Sequence, residues 1–378
     1  MTITIVPHAP EWKAGTDEFN RRMRMGGSPW GFYVDAEPTW LPKKTPDQPT
    51  WREYWLAVED GKTVRGAFAL KPTAWLVHGQ PTTVSDWQGP VSEGAISKQY
   101  SALGLRLIRE MVKKQPLLHS WGHGGDEEPI VQLLRKLGWL MHSTPFALRI
   151  TRPFEFLRKN RYLRNTPERR AGLDALAYSG LGTLGILGLH AALRARSGRV
   201  MKAEAEVVAS FGGWADEVWH HAKGAYSALA VRDAAALNLV HPPGWTPHEW
   251  SIPTRLRVTL GGRTLGWIVV GHRHMKDDSR FGDLHVGTLY DYFAHPDDAA
   301  EVIGAGFRYL RRQNVDLVMA NQSDPRWVHA LETNGFAIVK NRRLFCAAPA
   351  LAEKLAPFER TKEGLFLTNM DGHGPNGL

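Results

Sequence analysis

Residues 98–104 read Lys98-Gln99-Tyr100-Ser101-Ala102-Leu103-Gly104. Behind them, apolar residues at Leu103, Leu107, Ile108 and Met111 predict a helix over 102–114, closed by Lys113-Lys114 and stopped by Pro116. A loop that enters a helix N-terminus exposes several backbone N–H groups at the positive end of the helix dipole. Ser101, Ala102 and Gly104 have small or absent side chains, so a diphosphate can approach the backbone, and Lys98 adds a cation. The plain alternative is a strand-to-helix turn that holds nothing.

Upstream of the loop, residues 55–58, a turn at Asp60-Gly61-Lys62 and residues 64–70 read as a hairpin, and 82–87 as a further strand. Downstream come a strand at 117–121 and a helix opened by Asp126-Glu127-Glu128-Pro129 and ended at Gly138. Strands then run through Ile150. The second half replays the order. Residues 256–260, Gly261-Gly262 and 264–270 form a hairpin, 286–293 a strand, 296–313 a helix and 315–320 a strand. A helix over 324–334 ends at Gly335, and strands follow over 336–347. Leu137-Gly138-Trp139 aligns with Asn334-Gly335-Phe336, and an internal duplication is the economical explanation.

The chain has 378 residues, enough for two domains of ordinary size. With 43% apolar and 22% charged residues it is globular in composition, which excludes wholesale disorder. The 47 Lys and Arg against 38 Asp and Glu leave +9, favourable to a phosphorylated ligand, a polyanion or an anionic membrane. One cysteine, Cys346, excludes a disulfide framework and Cys-based zinc sites, and its apolar neighbours suggest a buried small hydrophobe. No secretory signal is visible at the N-terminus, so a cytoplasmic location is the default expectation.

One segment departs from this texture. Residues 173–193 are apolar and glycine-rich, with basic flanks (Arg158, Lys159, Arg161, Arg164, Arg169 and Arg170 before; Arg194, Arg196, Arg199 and Lys202 after). Asp174 and His190 leave only 15 residues free of charge and His, short of the ~20 that a spanning helix needs. The segment reads as an interdomain linker packed on one domain, or as a basic interfacial contact with an anionic membrane through 158–202.

The order of elements, with this loop between the fourth strand and its helix, resembles the GNAT superfamily of acyl-CoA N-acyltransferases. That family's pyrophosphate loop is Gln/Arg-x-x-Gly-x-Gly/Ala, and here Gln99-Tyr100-Ser101-Ala102-Leu103-Gly104 has Ala for the first Gly. Leu137-Gly138-Trp139 sits where the family has Gly-Phe or Gly-Tyr. Val231-Arg232-Asp233, Asn321-Gln322-Ser323 and the tail Asp371-Gly372-His373-Gly374-Pro375 look like tandem GNAT and Fem-like proteins of bacterial envelope polysaccharide loci. The resemblance implies two GNAT-like α/β (α+β) folds in tandem, with mixed, mostly antiparallel sheets flanked by helices. The expected division is 1–155, a linker at 156–204, 205–350 and a tail at 351–378. It implies acetyl-CoA or a longer acyl-CoA as donor, bound at Lys98, Gln99, Tyr100, Ser101, Ala102, Leu103 and Gly104, without a metal. The acceptor it implies is a primary amine, an amino sugar or other envelope precursor.

Acyl transfer from a thioester needs a polarised carbonyl, a neutral amine and a proton for the thiolate. The resemblance implies a backbone N–H at the splayed end of the fourth strand for the first and a carboxylate base for the second. Glu93 is the first candidate base, with Asp86 and His119 next; a base must lie within hydrogen-bond reach of the amine, directly or through one water. The family's acid tyrosine would fall at Leu134 or Leu331, so water would protonate the thiolate. In the second half Tyr290-Asp291-Tyr292 reads as a catalytic or substrate-binding patch, or Asp291 pairs with an arginine. The second half's loop position, His295-Pro296-Asp297-Asp298, repels phosphate, and its Asp residues read as helix caps.

Gly124-Gly125-Asp126-Glu127-Glu128 resembles a diguanylate cyclase signature but precedes a helix and lacks that family's hairpin. His272-Arg273-His274 reads as a solvated pair in a polar loop. No nucleic-acid module accompanies the charge, so no nucleic-acid partner is expected. Rival readings are acylation of a membrane lipid amine, a Fem-like aminoacyl-tRNA-dependent transferase, and a non-catalytic scaffold.

Overall fold

The structure is a computed structural model that describes residues 2–32, 41, 43–123, 125–195, 200–242 and 253–372. The first half comprises β1 (Ile3–Pro7), α1 (Lys13–Met25), β2 (Glu53–Glu59), β3 (Thr63–Val77), β4 (Gln80–Ser92), α2 (Leu103–Lys114), β5 (Leu118–His123), α3 (Pro129–Lys136) and β6 (Leu140–Ile150). Three helices follow: α4 (Pro153–Lys159), α5 (Pro167–Tyr178) and α6 (Leu181–Ala195). The second half comprises β7 (Glu204–Val207), α7 (Gly213–Ala222), β8 (Ala228–Ala230), α8 (Ala234–Val240), β9 (Thr254–Leu260), β10 (Arg263–His274), β11 (His285–Ala294), α9 (Ala299–Arg312), β12 (Leu317–Asn321), α10 (Pro325–Thr333) and β13 (Ala337–Ala347). The end of the chain adds α11 (Pro349–Lys354), α12 (Phe358–Thr361) and β14 (Leu365–Phe366).

The residues form two compact units, one of Met1–His142 with Leu344–Phe358, the other of Ser143–Arg343 with Glu359–Leu378. In the first, β1, β2, β3 and β4 pair antiparallel in that order, β5 joins β4 in parallel, and Leu344–Ala347 of β13 closes the row antiparallel to β5. The second repeats the row as β7, β9, β10, β11, a parallel β12, and residues 146–150 of β6 antiparallel to β12. Each sheet therefore takes its last strand from the sequence of the other half. The consecutive boundaries at 155 and 205 do not follow these units, because strand pairing is non-local and the periodicity of a strand carries no record of its partner. Residues 156–204 contribute α5 and α6, helices of the second unit, and the expected tail is divided between both units.

In the first unit Leu103, Leu107, Ile108 and Met111 of α2 pack with Val131 and Leu134 of α3 onto Leu70, Trp87 and Leu118 of the sheet. Burial of the four α2 side chains contributes roughly 2 kcal/mol each. Cys346 lies in this core, and burial pushes its thiol up to about 12, so it is inert packing. Both α3 and α10 stop at a left-handed glycine, Gly138 at φ +77° and Gly335 at φ +75°. The residue after each donates back to the helix, Trp139 to the Leu134 carbonyl and Phe336 to that of Leu331, the bond that closes a helix around such a glycine.

In the second unit α6 buries His190, the only buried residue of that helix. Burial, with Arg149 beside it, lowers the His190 imidazole to about 4. The unfolded chain takes up its proton near 6.5 and the folded one only near 4, so this stabilisation is full at neutral pH and is lost as pH falls between those values. His190→Gln should be less acid-sensitive than wild type by up to ~3 kcal/mol, seen as a smaller fall in melting temperature between neutral pH and pH ~4.5. Parallel melting curves for the two proteins across that range would refute the assignment.

Candidate active site

The fourth strand of the first unit is bent where it leaves its neighbour. The parallel ladder between β4 and β5 consists of Ser85 with Leu118 and Asp86 with His119, after which β4 continues to Ser92 and the strands part. Gly89 and Pro90 together face the single residue Phe68 of β3, a bulge, and Gly89 takes φ +52°, which suits glycine. Pro90 brings no N–H to the ladder. The bulge re-aims β4 beyond the point where it leaves β5.

Beyond the bulge, residues 93–102 turn through two short 3-10 segments into α2. No side chain caps the N-terminus of α2, which starts beside exposed Ser101 and Ala102; the Ser101 N–H itself donates to the Lys98 carbonyl at 3.2 Å. Lys98 and Gln99 are exposed, Leu103 is core, and a Cβ at Gly104 would meet only Ser92 Oγ, at 3.7 Å. Tyr100 is different: it is buried, and its hydroxyl donates to Glu59 at 3.1 Å. Burial and that carboxylate push its phenol up. It anchors the loop and presents no side chain to a ligand.

Glu93 is the second anchor. Arg22 Nε donates to one carboxylate oxygen at 2.6 Å and Arg65 Nη1 to the other at 2.8 Å; Arg65 Nε also donates to Glu59 at 2.9 Å. With both oxygens engaged by guanidinium groups and the residue buried, Glu93 is not poised to take a proton from an amine. The expectation that made it the base yields to a structural role. The sequence hid this, because its partners lie 71 and 28 residues away.

Asp86 and His119 occupy the fork where the strands part. Trp87 and Leu118 face α2, so strand alternation puts Asp86, Gln88 and His119 on the opposite face, in register with Lys71 of β3. All four are buried. Asp86 Oδ1 lies 3.7 Å from His119 Nδ1, and Gln88 Nε2 donates to Asp86 Oδ2 at 3.0 Å. Trp75 and Phe345 flank the imidazole at 5.4 and 5.6 Å between ring centres. Lys71 and Gln88 escaped notice in the sequence; the alternation Asp86-Trp87-Gln88 was the available signal.

The second unit also bends its fourth strand, directly after its parallel ladder instead of three residues beyond it. The ladder of β11 with β12 ends at Leu289 and Ala320, and Tyr290 is the extra residue of a bulge against β10. Here the notch is filled by the chain itself. Thr368 Oγ1 donates to Asp291 at 2.8 Å, Arg232 Nη2 to Asp371 at 2.6 Å, Ser323 Oγ accepts from the Leu367 N–H at 2.8 Å, and Tyr292 donates to the Asn321 carbonyl at 3.0 Å. Burial opposes ionisation of Asp291, yet Arg232, His241 and Thr368 together outweigh it and hold the carboxyl below its ordinary value. Burial pushes Asp371 up. Asp291, a catalytic candidate by sequence, is thus the centre of a buried network that also includes His241 at 3.6 Å.

At the second unit's loop position Asp298 pairs with Arg263 at 2.7 Å and makes no cap bond, contrary to its reading as a cap; His295 accepts from the Asp297 N–H instead. Leu134 and Leu331 are buried packing residues. His272 and His274 lie within β10, not in a polar loop: His272 bonds His285 at 2.8 Å and His274 stacks on it at 3.7 Å. Their polarity masked the end of a strand whose partner supplies the third imidazole. Gly124, Arg196, Arg199 and His373-Gly374-Pro375 lie outside the described residues, and so does the His123 side chain. Among the described residues no group of three His, Cys, Asp or Glu side chains is placed to hold a metal ion.

No protein family's model and no curated protein matches the sequence. Solved structures do. N-myristoyltransferase of Saccharomyces cerevisiae, solved with myristoyl-CoA and inhibitors, aligns over 91% of this chain and 79% of its own, at 11% identity and TM-score 0.52. A probable N-acyltransferase from Enterococcus faecalis V583 aligns over 94% of this chain and 74% of its own, at 10% identity and TM-score 0.50. At such identities the likeness establishes the fold: a GNAT-type mixed α/β fold, sheet flanked by helices, with its core order present twice.

Glu93→Gln removes one negative charge from between two largely buried guanidinium groups. It should lower stability by roughly 3 kcal/mol, visible as a reduced denaturation midpoint. Unchanged stability with turnover lost by a hundredfold would reinstate Glu93 as the base.

Proposed function

We propose that the protein is an acyl-CoA-dependent N-acyltransferase whose first unit holds the acyl-CoA. The carrying observation is the fork where β4 and β5 part, in the unit whose α2 starts uncapped beside exposed Ser101 and Ala102. The diphosphate would rest on the N–H groups of residues 102–104, near Lys98, and the thioester would reach the fork between the strands. The likeness to an N-myristoyltransferase solved with myristoyl-CoA supports a CoA thioester as donor.

On this reading Asp86 and His119 take the amine proton. The pair lies at the fork, on the sheet face opposite α2, where an acceptor amine would meet the acyl carbon from the other side of the fork. A backbone N–H of β4 beyond the fork would polarise the carbonyl. Water would protonate the departing thiolate, since Leu134 stands where the family's tyrosine would be. The acceptor class implied by the sequence resemblance is an amino sugar or other cell-envelope precursor. A lipid amine is a second reading, favoured by the exposed leucines of α6.

Calorimetric titration with CoA tests the donor site. Wild type should bind one CoA per chain. Gly104→Glu places a carboxylate where the diphosphate would sit and should weaken binding by at least ~100-fold. Asp297→Arg, at an exposed side chain of the second unit's loop, should leave affinity unchanged. Two sites in wild type, or tight binding by Gly104→Glu, would remove the assignment.

The base is tested by Asp86→Asn, with free CoA release read across a panel of amines. Turnover should fall about a hundredfold while CoA affinity stays, and the deficit should shrink at high pH, where the amine deprotonates unaided. Turnover within a few-fold of wild type would clear the pair.

A further inference from the structure

The solvent side of α6 is built the wrong way round for a helix in water. Its inward side is His190 with the half-buried Gly182, Thr183, Ile186 and Leu193, while Leu181, Leu184, Leu187 and Leu189 are each at least half exposed. Gly185, Gly188, Ala191 and Ala192 fill the rest of the outer surface, so no charge appears on it before Arg194. Neighbouring elements extend the apolar surface: Leu176 and Tyr178 at the end of α5 are exposed, and the Phe154 ring of α4 stands edge-on to Tyr178 at 5.6 Å. Contiguous exposed apolar surface of this kind marks an interaction site.

The surroundings say which kind. Residues 152–195 carry eight Arg and Lys against three Asp and Glu. Asp174 is shared between Arg158 and Arg164, while Arg169 bonds Asn165 and Arg170 the Arg164 carbonyl, neither of them a carboxylate. Two copies of this face would bring like charge together, so self-association is disfavoured. An apolar ridge rimmed by Arg and Lys with an amphipathic Tyr at its margin complements an anionic bilayer, whose headgroups meet the cations and whose acyl boundary meets the leucines.

Length decides between crossing and lying flat. Among the described residues no single helix is long and apolar enough to cross a membrane, and α5 and α6 meet at a 77° bend. The 15 residues of α6 extend about 22 Å, short of the ~30 Å hydrocarbon core. We infer that α6, with the end of α5 and Phe154, is a peripheral docking face that lies in the interface of an anionic lipid membrane. This inference stands independently of the proposed chemistry.

Sedimentation of the full chain with vesicles tests it, comparing phosphatidylcholine alone with phosphatidylcholine containing about 30% phosphatidylglycerol. Wild type should bind the anionic vesicles, less tightly as salt rises. The double variants Leu181→Gln/Leu184→Gln and Arg169→Glu/Arg170→Glu should each weaken binding by at least ~10-fold. Both change exposed residues, and equal melting temperatures would verify that folding is intact. Leu184→Trp should show a blue-shifted emission on vesicles, quenched by brominated acyl chains. The inference is overturned if wild type stays in the supernatant at low salt, or if the leucine variant binds as wild type does, which would make the contact electrostatic only. A wild-type dimer that the leucine variant converts to monomer, without vesicle binding, would assign the face to a second copy instead.

Discussion

The pair of bonds from Arg22 and Arg65 to Glu93 fixes where β4 ends and its loop begins. A buried carboxylate is tolerable only when paired, and here the pairing runs on in alternating sign through Arg65 to Glu59 and then to the Tyr100 hydroxyl. The loop is held at residue 93 and again at residue 100, without help from a ligand. Gly94 belongs to the same constraint: a Cβ there would come within 2.5 Å of the Tyr100 carbonyl oxygen, so a side chain at 94 would force the two ends of the loop apart. Preorganisation of this kind spares a ligand the ordering cost of the loop.

The two units share strand order, a bulged fourth strand and helix ends, yet differ in what surrounds the parted strands. In the second unit residues 365–371 occupy that space, and the charges of Arg232, Asp291 and Asp371 answer one another in a network wholly inside the protein. A notch lined with charge that water cannot reach must be filled by groups that satisfy it. The chain's own end supplies them. The two units thus share a frame, and the second holds a permanent occupant.

Local pattern was readable and distant pairing was not. The helix at 103–114, both glycine stops and the strands β2–β6 and β9–β13 follow from periodicity and terminus chemistry, which act over a few residues, whereas the outer strands β1 and β7 were not read. The loop at 98–104 was legible because its signal, small residues ahead of an apolar helix, is equally local. Glu93, Tyr100 and Asp291 looked functional because an isolated polar residue near a loop does not reveal the partner that engages it. Asp86 and His119 were visible as candidates, but their apposition depends on a parallel strand pair that forms across more than thirty residues. The exchange of β6 and β13 left no trace at all, since each strand would look the same in either sheet.

That exchange bears on how the protein is made. Residues 118–123 leave the ribosome roughly 200 residues before 344–347, an interval on the order of ten to forty seconds at ordinary rates of synthesis. During it β5 presents an unpaired edge, the kind of surface that captures stray strands and seeds aggregates. The nearest tenant is β6, which emerges next and whose eventual place beside β12 does not yet exist. The sheet of the first unit therefore cannot be completed until almost the whole chain has been made.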